Sequence, residues 1–196
     1  MSEEKTELVC KSEEEKAFEL IQREATALSK SQLIPKAFQG NLPDCIIAIE
    51  MARRIGATPL AVLQNIYIVH GKPSWSSQFI IAMINYSGRF KPLRFKNDGK
   101  SCYAYTTYID SNEEVRGPIV TMDMANKEGW LNKAGSKWQT MPELMLNYRA
   151  ATFFGRMFCP DLLMGMKTVD ELDDIKANES KPEIEKHKTD LFNEEK

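Results

Sequence analysis

No stretch of the chain approaches the roughly 18 consecutive apolar residues that a membrane-spanning helix needs, and no membrane partner is expected. Residues 1–16 are acidic and lack the charged-then-apolar order of a signal peptide, so a cytoplasmic location is expected. Histidine is nearly absent, with only His70 and His187. Four cysteines, Cys10, Cys45, Cys102 and Cys159, are scattered without a C-x-x-C pair. That layout reads as idle or buried thiols in a reducing compartment and is too sparse for a zinc site. Gly99-Lys100-Ser101 resembles the end of a phosphate loop, but the earlier glycine of that motif would fall at Arg94. No nucleophile-elbow pattern is present. Asp110, Glu113 and Glu114 cluster in sequence, yet they fall in an expected hairpin turn rather than in a convergent two-metal site. Catalytic residues, a nucleotide cofactor and a metal site are therefore not expected.

What the chain does have is enough apolar content, 42% of 196 residues, for one domain with flexible ends. Its net charge of -2 hides a strong asymmetry. Residues 30–167 carry 17 basic and 10 acidic side chains, net +7. Residues 1–29 have 4 against 8, and residues 168–196 have 5 against 10. A basic body between acidic ends is a footprint for a polyanion, or else an ordinary mixed surface with solubilising tails. If the body binds a polyanion, the acidic ends are expected to compete for it.

The pattern predicts an α+β fold, a small antiparallel meander flanked by helices. Ser12 to Glu15 reads as a capping box opening a helix to about residue 29, with a buried stripe of Phe18, Ile21, Ala25 and Leu28. Pro43 suits the first turn of a second helix, stopped by Gly56, and Thr58-Pro59 opens a third to about residue 65. A strand at 67–69, a His70-Gly71 turn and a return at 72–75 precede a helix capped by Ser76 or Ser77. A hairpin is predicted from 90–96 and 103–110 around Asn97-Asp98-Gly99, with a third strand over 115–121. A short helix follows over 122–128, then a polar loop over 130–139. Thr140 to Glu143 reads as the cap of a helix reaching Phe158, ended by Pro160, and Thr168 to Glu171 as the cap of a last short helix. The expected division is an acidic N-terminal helix over 1–29, a functional domain over 30–176 and a charged, disordered tail over 177–196.

A single nucleic-acid strand is held by cations along its phosphates and by flat or apolar side chains against its bases. Three segments offer that mixture. The first contains Gln64, Asn65, Tyr67, Lys72, Ser74 and Trp75; the second contains Arg89, Lys91, Arg94, Lys96 and Lys100, opposed only by Asp98. The third runs from Trp130 to Arg156, with Lys133, Ser136, Lys137 and Trp138 in its loop. Met145, Arg149, Thr152 and Arg156 then follow at helical spacings of four, three and four, which puts both arginines on one stripe. Taken singly, each tryptophan reads first as a core anchor. Lys137, Arg149 and Arg156 read as phosphate contacts, with pairing to acids elsewhere as the alternative.

Two stretches carry a resemblance. FQGNLPDCIIAIEMARRIGATPLAVLQNIYIVHGKPSW (38–75) and GWLNKAGSKWQTMPELMLNYRAATFFGRMFCPDLLMG (129–165) resemble the RecT family of phage and prophage single-strand annealing proteins. The Leu63-Gln64-Asn65 turn, the Gly71-Lys72-Pro73-Ser74 hairpin, the Ser136-Lys137-Trp138 loop and Tyr148-Arg149-Ala150-Ala151 with Arg156 match that family's pattern in the same order. With the strands between, the resemblance spans roughly residues 33–172. It implies an ATP-independent, non-catalytic recombinase that coats single-stranded DNA, holds a nascent duplex and self-assembles into rings or helical filaments. A phage 5′–3′ exonuclease and the host single-strand-binding protein are the implied partners. No cofactor is implied; Mg2+ enters only as an aid to DNA binding, with no site of its own. The resemblance places Lys72, Lys137, Arg149 and Arg156 near phosphates, and Trp75, Trp138 and Tyr148 against sugars, bases or the groove wall. Gln64, Asn65, Ser74 and Ser136 are expected to hydrogen-bond the DNA backbone. Tyr67 and Lys133 complete the expected DNA-binding set from the residue reading. A module that coats strands or loads another recombinase, without annealing, is the alternative. This chain is short at the C-terminus for that family, which puts partner recruitment in doubt.

Overall fold

The structure, a computed structural model, describes residues 12–69, 71–132 and 135–179, with side chains as far as residue 174. It is α+β, with small antiparallel pairings flanked by helices. Contacts cluster into two units, Met1–Ile66 and Tyr67–Lys196. The expected boundary at residue 30 falls inside the first. The His70 turn and the tail beyond residue 179 lie outside the described residues.

The first unit is helical. Ser12 and Glu15 form the predicted capping box at the start of α1 (Glu13–Ser29). Asn41 caps α2 (Leu42–Ile55), which ends on Gly56 in the left-handed conformation, and Thr58 caps α3 (Pro59–Asn65). α1 packs on α2, and α2 on α3. The stripe on α1 is narrower than its sequence suggested. Ile21 and Ala25 are buried, Leu28 is half-buried, and Phe18 is half exposed at 51%.

The second unit contains two sheets. β1 (Ile66–Val69), β2 (Lys72–Trp75) and β7 (Lys167–Thr168) form one, in the order β1-β2-β7. β2 and β7 run parallel, with Ser74 opposite Lys167 and Trp75 opposite Thr168. The other sheet contains β3 (Arg94–Asn97), β4 (Ser101–Thr107) and β5 (Glu114–Arg116), with β6 (Val120–Thr121) also pairing β4. The predicted strand over 115–121 is thus split. Gly117 and Pro118 lie at the break, and Pro118 has no N–H to donate to a ladder. Phe90 joins only by an isolated bridge to Tyr108.

α7 (Pro142–Phe158) is the spine of this unit, packed on β4 and on α4 (Ser77–Tyr86). Two glycines allow the close approach. A Cβ on Gly117 would meet Phe154 Cβ at 3.1 Å, and one on Gly155 would meet Leu163 Cδ1 at 3.0 Å. Asn97 ties the hairpin to α7, donating to Glu143 O at 2.9 Å and to Asn147 Oδ1 at 2.8 Å. After α5 (Met122–Lys127), the segment expected to be a polar loop instead forms a 3-10 turn (Trp130–Asn132) and the short helix α6 (Lys137–Thr140), both with buried tryptophans. Met141, not Thr140, is the N-cap of α7, and no side chain caps it. α8 (Pro160–Leu163) follows, and α9 (Val169–Glu179) starts where Thr168 and Glu171 cap each other reciprocally. Among the described residues, no helix is long and apolar enough to cross a membrane.

Candidate nucleic-acid interface

The predicted stripe on α7 exists, but most of it faces inward. Met145, Arg149 and Thr152 are buried, and only Arg156 reaches solvent. The Arg149 guanidinium stacks over Trp130, with Cζ 4.1 Å from the ring centroid, and lies 5.8 Å from that of Trp138. The two indoles pack against each other at 5.0 Å. Arg149 donates to Glu171 Oε1 at 3.2 Å and to Asp174. Asp174 also accepts from Trp138 Nε1 at 3.2 Å. Burial pushes the Arg149 guanidinium down from its ordinary value; Glu171 and Asp174 oppose that shift, and Arg156 adds to it. An arginine starts so high that the group stays charged in the physiological range.

The first turns of α9 supply the counter-charges for all three predicted phosphate-binding cations of this segment. Glu171 holds Arg149 and Arg156, and Asp174 holds Arg149. Asp170 accepts from Lys137 Nζ at 3.3 Å and from Ser77 Oγ at 2.8 Å. The acidic C-terminal segment therefore pairs directly with cations of the basic body. Lys137, Arg149 and Arg156 face Asp170, Glu171 and Asp174, three charges against three, with Asp173 lining the same pocket as Lys137, Asp170 and Asp174.

Several of the expected DNA contacts are buried in this structure. Trp75 is fully buried and its indole donates to Leu163 O at 3.3 Å. Trp138 is fully buried under Asp174. Ser74 is buried and donates to Lys72 O; Ser136 is buried, donates to Trp130 O at 2.7 Å and caps α6. With Arg149, these side chains build the framework and present no surface to a ligand in this structure. The reason is physical: an indole or a bidentate guanidinium with protein partners on every side gives the interior large contact area and satisfied polar atoms. Tyr67 and Lys72 are exposed, as are Lys137 and Arg156 at the rim of the cluster. Tyr148 is half-buried, its hydroxyl accepting from Gln78 Nε2 at 3.0 Å. Gln64 is exposed and Asn65 half-buried; both lie in the first unit. Lys133 lies outside the described residues.

The second of the three segments belongs to a wider surface: its Arg94 and Lys96 are joined by Tyr103, Tyr105 and Arg116, which the sequence did not bring together with them. Along β4 the burial alternates, so Cys102, Ala104 and Thr106 face inward while Tyr103, Tyr105 and Thr107 face out. Register places Arg94 opposite Tyr105, Tyr105 opposite Arg116, and Lys96 opposite Tyr103. The two tyrosine rings lie 5.9 Å apart, and Arg116 Cζ sits 4.2 Å from the Tyr103 centroid. The signal available in the sequence was the Tyr-x-Tyr alternation beside the Arg-x-Lys alternation of β3; what it lacked was the register joining them to Arg116.

No protein-family model matches the chain, and no curated protein matches it. Among the described residues, no group of His, Cys, Asp and Glu is arranged to hold a metal ion.

Proposed function

We propose that this protein binds single-stranded DNA and anneals complementary strands without nucleotide hydrolysis, as the RecT resemblance implies. The observation that carries the reading is the meeting of the two resembling stretches. Trp75, at the end of the first, donates to Leu163 near the end of the second, and β2 pairs with β7 just beyond it. A groove that uses the end of the first stretch, residues 67–75, together with the second requires that proximity. The exposed rim cations Lys137 and Arg156 lie beside this junction, on the same cluster.

In this reading, base pairing supplies specificity and the final free energy. The protein lowers repulsion between two phosphate chains and holds the bases extended, so binding shows little sequence preference and strong salt dependence. Self-assembly on DNA and recruitment of a 5′–3′ exonuclease or single-strand-binding protein belong to the same proposal. The test is the pairing rate of two complementary fluorescent oligonucleotides, with and without protein, without ATP, at two salt concentrations. Faster pairing that weakens with salt is expected. Strand binding without faster pairing would leave a coating or loading role, and no binding would overturn the proposal.

A further inference from the structure

The solvent face of the β3-β4-β5 sheet combines exposed cations with aromatic rings in one register. Arg94 and Lys96 project from β3, Tyr103 and Tyr105 from β4, and Arg116 from β5. None of Arg94, Lys96 and Arg116 is in a salt bridge among the described residues. The nearest carboxylate in sequence, Asp98, is committed to its own turn. It accepts from Lys100 N at 2.9 Å, Ser101 N at 2.6 Å and Ser101 Oγ at 3.0 Å, and these bonds hold its carboxyl below the usual carboxylate range. Glu114, opposite Thr107, is the one acid in the register of this face, at its far end.

We infer that this sheet face is a docking platform for single-stranded nucleic acid, with Tyr103 and Tyr105 taking bases and Arg94, Lys96 and Arg116 taking phosphates. The inference rests on the strand-binding reading above and deepens it: Arg94 and Lys96 come from the second segment, while the resemblance gives no role to Tyr103, Tyr105 or Arg116. The occupant follows from the chemistry. A single strand offers π faces and a row of anions together, with its bases exposed at an extended spacing comparable to the 5.9 Å between the rings. A duplex hides its base faces, and an acidic peptide has no π faces to offer. The guanidinium of Arg116, stacked on Tyr103, keeps its edge N–H groups for a phosphate.

The probe is a labelled thymidine oligonucleotide of roughly 20 nucleotides carrying 5-iododeoxyuridine, bound to the full chain and photocrosslinked. Crosslinks are expected on the peptide containing Tyr103 and Tyr105. The double variant Tyr103→Ala/Tyr105→Ala should weaken binding about tenfold or more, whereas Tyr103→Phe/Tyr105→Phe, which keeps the rings, should bind like the parent. Arg94→Ala/Arg116→Ala should lower the slope of log affinity against log salt by about 1.4, two single-strand phosphate contacts. Circular dichroism confirms that each variant is folded. If the parent protein binds the oligonucleotide but crosslinks only elsewhere, and the folded alanine variants bind as it does, the sheet face is overturned while strand binding stands. Loss of binding in the Phe variant would overturn stacking as its basis. Failure of the parent protein to bind at all overturns both readings.

Discussion

Arg149→Ala separates a structural role from a ligand role at the position where the two are easiest to confuse. In this structure the guanidinium is 7% exposed, paired with Glu171 and Asp174 and stacked on Trp130. Its removal takes the closest cation from two buried carboxylates, while Glu171 keeps Arg156 and the Thr168 amide and Asp174 keeps the Trp138 indole; breaking a buried pair costs about 3–5 kcal/mol. Loss of the ring contact adds to that figure. Domains are stable by only about 5–15 kcal/mol, and each kcal/mol shifts the melting temperature by roughly 2–4 °C at this chain length. A fall of about 10 °C in Tm is therefore expected, read by circular dichroism or calorimetry in the absence of DNA. Adding Glu171→Gln and Asp174→Asn to Arg149→Met removes the two buried negative charges that Arg149 had balanced and should restore most of the loss. The glutamine keeps the reach of a capping side chain, and the asparagine keeps a carbonyl oxygen that can still accept from the Trp138 indole. An Arg149→Ala protein that melts within about 2 °C of the parent yet loses strand binding would refute this reasoning. It would show that the guanidinium is available to phosphate.

Lys137→Glu should behave oppositely. Lys137 is 59% exposed, while Asp170, 16% exposed, keeps the Ser77 hydroxyl, so Tm should fall far less than for Arg149→Ala while strand binding falls, checked by melting and by anisotropy of a labelled oligonucleotide. Cys102 and Cys159 are buried and their thiols are pushed up to about 11, so both should resist alkylation by iodoacetamide at pH 8 in the native protein and react on unfolding, read by peptide mass spectrometry. The hydrogen bond from Arg89 holds the Asp161 carboxyl below its usual range. That contribution is present above the unfolded carboxyl value of about 3.9 and is lost as pH falls through the lower folded value. The pair is exposed, so the effect is small; an Arg89→Gln variant should differ slightly from the parent at pH 7 and converge with it in acid, and a difference that grows in acid would refute it. Gly155→Ala forces a methyl to 3.0 Å from Leu163 and 3.3 Å from Ile84, and should destabilise by about 1–3 kcal/mol in a denaturant titration.

Local chemistry made the helix starts legible. Ser12, Asn41, Thr58, Ser76 and Thr168 all sit where a side chain or a reciprocal box satisfies the first turn, and Ser12, Thr58, Ser76 and Thr168 were readable from a hydroxyl beside the right neighbours. The hairpin turn at Asp98-Gly99 was readable for the same reason. What was not readable depended on partners far away in the chain. Phe18 fits a helical stripe but lies at the end that packing does not cover, and β7 is a two-residue strand whose pairing with β2 no local pattern announces. The site divided in the same way. Lys137, Arg149 and Arg156 were identified as cations acting together, and they do share one cluster. Their counter-ions are the carboxylates of α9, some 15 to 33 residues further along the chain, and nothing in the local spacing named them. The polar loop over 130–139 misled because composition was read without burial. Ser136 is polar, yet its hydrogen bond lies inside the protein, and Trp138, read singly as a core anchor, is one.

Glu171 makes three contacts with one carboxylate: it caps the start of α9 at the Thr168 amide, and it pairs with both Arg149 and Arg156. Helix initiation and charge neutralisation are thus one event. A fluctuation that moves the Glu171 carboxylate away uncaps the helix and takes a counter-charge from both arginines at once, leaving Arg149 with Asp174. Hydrogen exchange at the first turn of α9 would therefore occur in step with that of the α7 segment bearing Arg149, as a single cooperative opening rather than a gradual peeling.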